Sequence, residues 1–260
     1  MLNILKQERR YTVFDSSSYS HLIKLLGTMT TYTMDDIIKT KVVDYYYDNP
    51  NSLLEQNELL LRKRVTGGKA QLKIKRRYFS PQFYYSDNLR SHEREKEVGV
   101  HDSLSKHFFF LNNALNSMFT STLQFDPDKL FAQMKVTMIV KSIQESRKLY
   151  GYGGLKVEIK QEKLKVQNKK TNRKNKTEMI QFKLLSPDET LPLFEDLITK
   201  IERHCKELFY TQDSKYEICY KATKPLPTKE ELKKMKEEFE RKKQMEFSAE
   251  NYSANKGGSK

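Results

Sequence analysis

The sequence predicts an α+β protein built on an antiparallel β-barrel, with helices packed outside the barrel. The first reason is that several segments alternate charged with apolar residues at period two, which places the two kinds on opposite faces of a strand. The second is that segments with helical spacing of apolar residues fill the gaps between those strands. A barrel with a charged lumen and an outer face covered by helices requires this alternation.

The clearest strands form a basic hairpin. Arg62, Arg64, Lys73 and Lys75 share one face of two predicted strands, and Gly67 and Gly68 lie in the turn between them. The same alternation recurs in four later segments, which are 93–97, 156–160, 180–184 and 215–221.

Apolar residues at helical spacing predict three helices, over 18–26, 101–120 and 191–209. The segment 163–177 is rich in lysine and asparagine without apolar periodicity, so we expect a solvated loop there. The predicted organisation is a barrel domain over 1–224 and a charged helical tail over 225–260, partly disordered, whose helix begins near residue 228. A solvated charged tail is the favoured interpretation of this segment, and a helix that contacts a partner in a larger assembly is the alternative.

The composition suits a globular protein in the cytoplasm. The chain has 260 residues with 37% hydrophobic content, enough for one full core. It contains no run of about 20 apolar residues that could span a membrane, and its start offers no signal peptide. Cys205 and Cys219 are too few and too irregularly spaced for a disulfide framework or a zinc site.

Positive charge is concentrated in two places. The net charge is +14, and the segments 62–77 and 160–176 each hold eight Lys and Arg residues. Glu162 is the one acidic residue in these two segments. Such segments attract phosphate groups, nucleic acid, anionic lipid or acidic protein surfaces. Nucleic acid is the less favoured partner, because the tyrosines at 45–46 and 84–85 show no arrangement typical of base stacking.

Residues 42–50, Val-Val-Asp-Tyr-Tyr-Tyr-Asp-Asn-Pro, are followed by Leu-Arg-Lys-Arg at 61–64. This run resembles the CYTH, or triphosphate-tunnel, family, which carries a Tyr-Tyr-Asp-x-Pro turn before a strand of paired arginines. Weaker matches follow in the family's order at 71–73, 95–98, 147–150 and 214–215, and the resemblance extends from about residue 3 to 225. The family includes thiamine triphosphatases, inorganic triphosphatases and class IV adenylyl cyclases, so the resemblance implies a tunnel-shaped barrel that binds a triphosphate.

In that family, basic residues contact the phosphate oxygens while carboxylates hold a divalent cation. Carried over residue by residue, the resemblance implies a phosphate-binding set of Arg10, Arg62, Arg64, Lys73, Arg147 and Lys215. It also leaves Glu97 and Glu8 as candidates for a catalytic role.

The acidic side of the family's site is largely replaced here. The N-terminal Glu-x-Glu-x-Lys signature reads Lys-Gln-Glu-Arg-Arg at 6–10, so its second glutamate, Glu8, is the one that remains. The usual metal-holding aspartate aligns with Lys160, and a Glu-x-Glu strand reads Gln-Phe-Lys at 181–183. A lysine competes with a divalent ion instead of binding it. We therefore expect Lys160 and Lys183 to stand in for the cation and to contact phosphate themselves.

Three glutamates leave an alternative open. By strand parity Glu8, Glu158 and Glu217 could all point into the lumen and hold Mg²⁺ or Mn²⁺. Ion pairing with the surrounding lysines and arginines is the more common fate of such residues, so no metal site and no cofactor are expected.

Two classes of function follow. In the first, a catalytically degenerate barrel binds a phosphate-rich small molecule without metal, or serves as an interaction subunit that contacts an acidic protein surface. In the second, a divergent metal-dependent enzyme hydrolyses thiamine triphosphate or inorganic tri- and polyphosphate. The replaced acids favour the first class and argue against an enzyme.

Overall fold

The computed structural model describes residues 8–13, 17–76, 93–118 and 127–224. Its strands are β1 (Glu8–Val13), β2 (Tyr32–Met34), β3 (Ile38–Asp48), β4 (Leu59–Thr66), β5 (Lys69–Arg76), β6 (Glu93–Val98), β7 (Lys135–Gly151), β8 (Lys156–Asn168), β9 (Arg173–Leu184) and β10 (Phe209–Thr211). Its helices are α1 (Ser17–Thr28), α2 (Leu53–Gln56), α3 (Phe108–Met118), α4 (Pro127–Ala132), α5 (Leu191–His204) and α6 (Lys215–Ala222).

All ten strands belong to one antiparallel sheet. Nine of them follow the order β10-β1-β9-β8-β7-β3-β4-β5-β6, and β2 pairs with β7 outside that path. The predicted fold class, an antiparallel sheet with helices outside, is confirmed. Within the described residues β6 and β10 do not pair with each other, so backbone hydrogen bonds do not close the sheet into a complete barrel.

The sheet nevertheless curves strongly. Five strands separate β1 from β5 in the sheet order. The charge of Arg10 on β1 still acts on Lys75 on β5, so the two side chains face each other across the inside of the curve. The sheet therefore has a concave and a convex face, as the resemblance to a tunnel protein predicts.

The convex face carries most of the apolar core. Helices α1 and α5 cover strands β1, β8 and β9 through a cluster that includes Leu22, Leu197 and Phe182. Helices α3 and α4 cover β4 and β5 through a second cluster, which includes Leu61 and Ile74. Both clusters exist because alternate residues of each strand are apolar and point outward.

Helix α6 occupies part of the concave face. Its Tyr216, Ile218 and Cys219 pack against inward-facing residues of the central strands, and the rings of Tyr46 and Tyr216 have centroids 5.0 Å apart. The concave face is thus divided between an apolar part filled by α6 and a charged part beside it.

The prediction of a strand over 215–221 is wrong, since this segment forms α6. Ser214 accepts a hydrogen bond from the backbone N–H of Glu217, and the Glu217 side chain accepts one from the backbone N–H of Ser214. This reciprocal capping box satisfies two otherwise unpaired donors and starts a helix, which here prevails over the alternating pattern.

The prediction of a loop over 163–177 is also wrong. Strand β8 continues to Asn168 and β9 begins at Arg173, with a tight turn in which Asn172 has a φ of +51°. The Asn168 side chain accepts hydrogen bonds from the backbone N–H groups of Lys170 and Thr171, which stabilises the turn.

The basic hairpin is confirmed as β4 and β5, with Gly67 and Gly68 at φ values of +55° and +78° in its turn. The three predicted helices correspond to α1, α3 and α5, each with shifted ends. The predicted tail helix lies outside the described residues, and the boundary at residue 224 stays a prediction. None of the helices in the described part of the chain is long and apolar enough to cross a bilayer.

Candidate functional site

The charged part of the concave face is centred on Asp44, a fully buried carboxylate on β3. The guanidinium of Arg64 donates two hydrogen bonds to it, from Nε to Oδ1 at 2.7 Å and from Nη2 to Oδ2 at 3.0 Å. Burial alone would raise the pKa of Asp44, but the hydrogen bond from Arg64 and the charge of Lys215 outweigh it and lower that pKa to about 2. Asp44 therefore stays ionised at every physiological pH.

Lys215 ties α6 to this centre. As the first residue of the helix, it places its Nζ 2.9 Å from Asp44 Oδ2 and 2.6 Å from Glu162 Oε2 on β8. The same ammonium donates a hydrogen bond to Ser142 Oγ at 3.2 Å. With three oxygen partners and 11% of its side chain exposed, Lys215 is held in the ion-pair network.

Arg62 and Lys75 are less completely neutralised. The nearest carboxylate oxygen to Arg62 Nε is Asp44 Oδ1, at 3.7 Å, and Nε itself makes no hydrogen bond. Lys75 has no carboxylate within ion-pair distance among the described residues. Burial, and next the positive charge of Arg10, lower the pKa of the Lys75 ammonium below its ordinary value.

A cluster of three cations from three strands results. Arg10 from β1, Arg62 from β4 and Lys75 from β5 face a common space, since the charges of Arg10 and Arg62 both act on Lys75. Arg10 also pairs with Glu8 and donates to the backbone carbonyl of Asp213 at 3.2 Å. Like charges this close favour the binding of an anion between them.

Strands β1, β9 and β8 contribute two rows of side chains to the same face. In the first row Lys183 lies between Glu8 and Glu158 on the neighbouring strands. In the second row Gln181 lies between Arg10 and Lys160. Lys160 Nζ is 3.6 Å from Glu158 Oε2. The two lysines expected to replace the cation are therefore both on the concave face and beside the remaining glutamates.

The far edge of the face holds the predicted strand of acids. Lys73 Nζ is 2.9 Å from Glu93 Oε1 and 2.8 Å from Glu95 Oε2, so its charge is shared between two partly exposed carboxylates. Glu97 lies opposite Gln71 on the same face, further along β6.

Arg147 is placed differently from the expectation. It lies opposite Ile159, whose side chain belongs to the convex core, and it interacts with Tyr19 of α1. Strand parity therefore puts Arg147 behind the sheet, away from the other predicted phosphate-binding residues, and it is left out of the site below.

The three glutamates named as alternative metal ligands lie apart from one another. Glu217 belongs to a helix, where its side chain accepts the hydrogen bond of the α6 capping box at 2.6 Å. Glu8 and Glu158 are separated by Lys183 in the sheet register. In the described ranges one group of three ligand-type residues comes within metal-binding distance, His21, Cys205 and Glu207, and it lies outside the concave face. Glu8, Glu158 and Glu217 do not assemble into such a group.

No family model and no curated protein matches the sequence. Solved structures do resemble the fold. One is HpAC1 from Hippeastrum, a candidate adenylyl cyclase described as having dominant triphosphatase activity. Its sequence is 14% identical, the match covers 85% of this chain and 97% of that chain, and the TM-score is 0.49. Another is a candidate adenylate cyclase from Vibrio parahaemolyticus, at 13% identity, 81% and 95% coverage and a TM-score of 0.40.

The inorganic triphosphatase NE1496 is a third, at 12% identity, 87% and 99% coverage and a TM-score of 0.33. These structures are described as adenylate cyclases or a triphosphatase. At these identities the likeness concerns the fold alone, and the chemistry of the site depends on this chain's own side chains.

Sequence reasoning left three residues out of the site. Lys75 was recognised as sharing a face with Arg62, and the same parity could have added it to the phosphate-binding set. Asp44 and Glu162, by contrast, became visible as partners of Lys215 when the fold brought β3, β8 and α6 together.

Proposed function

We propose that the chain binds a triphosphate or polyphosphate anion on the concave face without a divalent cation. The observation that carries the proposal is the convergence of Arg10, Arg62 and Lys75. Lys75 is part-buried, and no described carboxylate lies within ion-pair distance of it, although Glu93 lies opposite it in the sheet and the charges of Glu93 and Glu217 act on it. A buried cation whose charge is only partly compensated lowers stability, and an anion placed beside it would relieve that cost.

The surrounding side chains support a chain of phosphate groups rather than a single one. Lys183 lies on β9, which pairs with β1, and Lys160 lies on β8, the next strand of the sheet. Both lysines are on the same face as the three converging cations. Guanidinium groups bind phosphate oxygens in a bidentate manner, while lysines act as point charges. Arg64 and Lys215 hold Asp44 in place, so in this proposal they position the site and contribute charge to it.

The same arrangement argues for binding instead of hydrolysis. Metal-assisted attack on phosphorus needs hard oxygen ligands for the cation. Here Glu8, Glu158 and Glu162 each have a basic neighbour as ion-pair partner or register neighbour, and Glu217 caps a helix. In this proposal lysine ammonium groups supply the positive charge that the cation supplies in a metal-dependent site.

Calorimetric titration with tripolyphosphate, ATP and thiamine triphosphate tests the proposal, in chelator, in Mg²⁺ and in Mn²⁺, with phosphate release measured in parallel. We expect binding in chelator and no turnover. Lys75→Met and Arg62→Gln should each weaken binding by about 10- to 100-fold, the value of a hydrogen bond to a charged group. Lys24→Met, at an exposed position on α1, is the matched control and should leave the affinity unchanged.

Each other outcome has a definite meaning. Turnover that requires Mg²⁺ or Mn²⁺ would overturn the metal-free reading and establish a divergent triphosphatase. If neither binding nor turnover is detected, the proposal is refuted and the alternative of an interaction subunit is favoured. Equal weakening by Lys24→Met would show that the anion is attracted by net charge and not by the concave face.

A further inference from the structure

A second concentration of positive charge lies on the opposite side of the sheet from the site. It is made of six exposed lysines on β3, β7, β8 and β9, referred to here as the lysine array: Lys41, Lys141, Lys163, Lys165, Lys174 and Lys176. The segment 163–177, expected as a loop, supplies most of them, and its strand conformation is what aligns their side chains.

The register places like charges side by side. Lys141 lies directly opposite Lys165, and Lys165 lies directly opposite Lys176, so three ammonium groups form a row across three strands. Like charges directly opposite each other destabilise a sheet. Within the described part of the chain no carboxylate forms an ion pair with any lysine of the array. The row of Lys141, Lys165 and Lys176 therefore costs stability and is not explained by the fold itself, whereas Lys163 lies opposite Glu178 in the register.

The surface between these lysines is hollow. A groove of about 580 Å³ is bordered by Ile139, Lys141, Lys165, Gln167, Lys174 and Lys176. Four lysines thus border a common depression whose floor includes the apolar side chains of Ile139 and Val166, and an anionic chain could contact several of these lysines at once.

We infer that the lysine array binds the phosphodiester backbone of a nucleic acid. Protein–protein interfaces are depleted in lysine and enriched in aromatic residues, whereas nucleic-acid interfaces are strongly positive. Within the described residues of the array and its groove, the apolar side chains are aliphatic, namely Ile139, Ile143 and Val166, so base stacking plays no part. Recognition through phosphates needs no stacking, which is why this inference departs from the sequence-based expectation against nucleic acid.

The chain's own tail is a poor candidate for this surface. Residues 225–260 contain nine Lys and Arg residues and seven Asp and Glu residues, so the tail carries no excess of negative charge. A partner with a repeating negative charge matches the array better.

The test is fluorescence anisotropy with a labelled 20-base-pair RNA duplex, the matching DNA duplex and a single strand of the same length, from 50 to 300 mM salt. Neutralising six phosphates of a duplex predicts a slope of about −5 for log Kobs against log salt. Replacing the central row, Lys141→Gln with Lys165→Gln and Lys176→Gln, should make the slope less steep by roughly 3 and weaken binding more than about 100-fold at 0.1 M salt.

A matched triple variant removes the same net charge elsewhere, through Lys24→Gln, Lys69→Gln and Lys206→Gln at exposed positions. It should bind like the wild type, and circular dichroism confirms that both triples are folded. Equal losses in the two triples, or no binding at 50 mM salt, would overturn the inference. So would tighter binding to phosphatidylserine vesicles or to polyglutamate than to any nucleic acid. Lys75→Met should leave nucleic-acid binding intact, which separates this surface from the concave site.

Discussion

Replacing Asp44 with asparagine removes the negative charge at the centre of the concave face while keeping the size of the side chain. Lys215, Arg64 and Arg62 then face one another without their shared counter-charge. Removing one partner of a buried ion pair costs about 3 to 5 kcal/mol of unfolding free energy. The pKa gives an independent figure, because a fall from 3.8 to about 2 corresponds to about 2 kcal/mol that ionised Asp44 contributes.

The pH dependence has a definite sign. The pKa of Asp44 is lower in the folded state than in the unfolded state, so its contribution is complete above about pH 4 and is lost as the pH falls towards 2. The variant has no such group. The difference in unfolding free energy between wild type and Asp44→Asn should therefore be largest at neutral pH and shrink by about 2 kcal/mol between pH 5 and pH 2.

Urea unfolding at pH 7, 5, 3 and 2 measures this difference. Asp196→Asn is the control, since Asp196 pairs with Lys200 on the exposed side of α5 and such pairs contribute well under about 1 kcal/mol. A loss below 1 kcal/mol for Asp44→Asn at neutral pH would refute the argument that Asp44 organises the cation network. A difference that stays constant with pH would refute the assigned direction of its pKa.

Two further predictions concern the same face. Lys75→Met should raise the free energy of unfolding at pH 7, because a buried cation whose pKa is lowered by burial opposes folding. Calorimetry should show that the same variant binds tripolyphosphate more weakly. A loss of stability in this variant would contradict the prediction. Ser214→Ala should lower the free energy of unfolding in urea by about 1 kcal/mol, because the α6 cap is lost. Ser105→Ala, at an exposed position, is the control. Equal effects of the two changes would argue against the capping role.

The basic hairpin could be predicted because its information is local. Alternation of Arg62 and Arg64 with buried leucine and lysine fixes the faces of β4, and two glycines fix the turn. Lys160 and Lys183 were assigned from the resemblance to the family, and the sheet register puts both on the concave face. Arg147 was given its phosphate-binding role from a family motif and not from strand parity. Strand parity in the observed register puts it on the convex face.

Two segments were misassigned, one because a local helix signal was passed over and the other because non-local packing decides its structure. Residues 215–221 alternate like a strand, but the Ser214 capping box and the apolar pocket between the central strands select a helix. Residues 163–177 look like a loop because one face of the hairpin is covered with lysines. Leu164 and Val166, which alternate with those lysines, are buried and hold the segment in the sheet.

The position of Lys215 in the chain has a consequence for folding during synthesis. Asp44 and Glu162 are translated well before their shared cation, and β1 pairs with β9 across more than 160 residues of sequence. Until α6 leaves the ribosome, two carboxylates of the concave face lack Lys215, and the apolar surface beside them is uncovered. Contacts of such long range form slowly. The charged centre of the concave face should therefore be completed only after the segment around residue 220 has emerged.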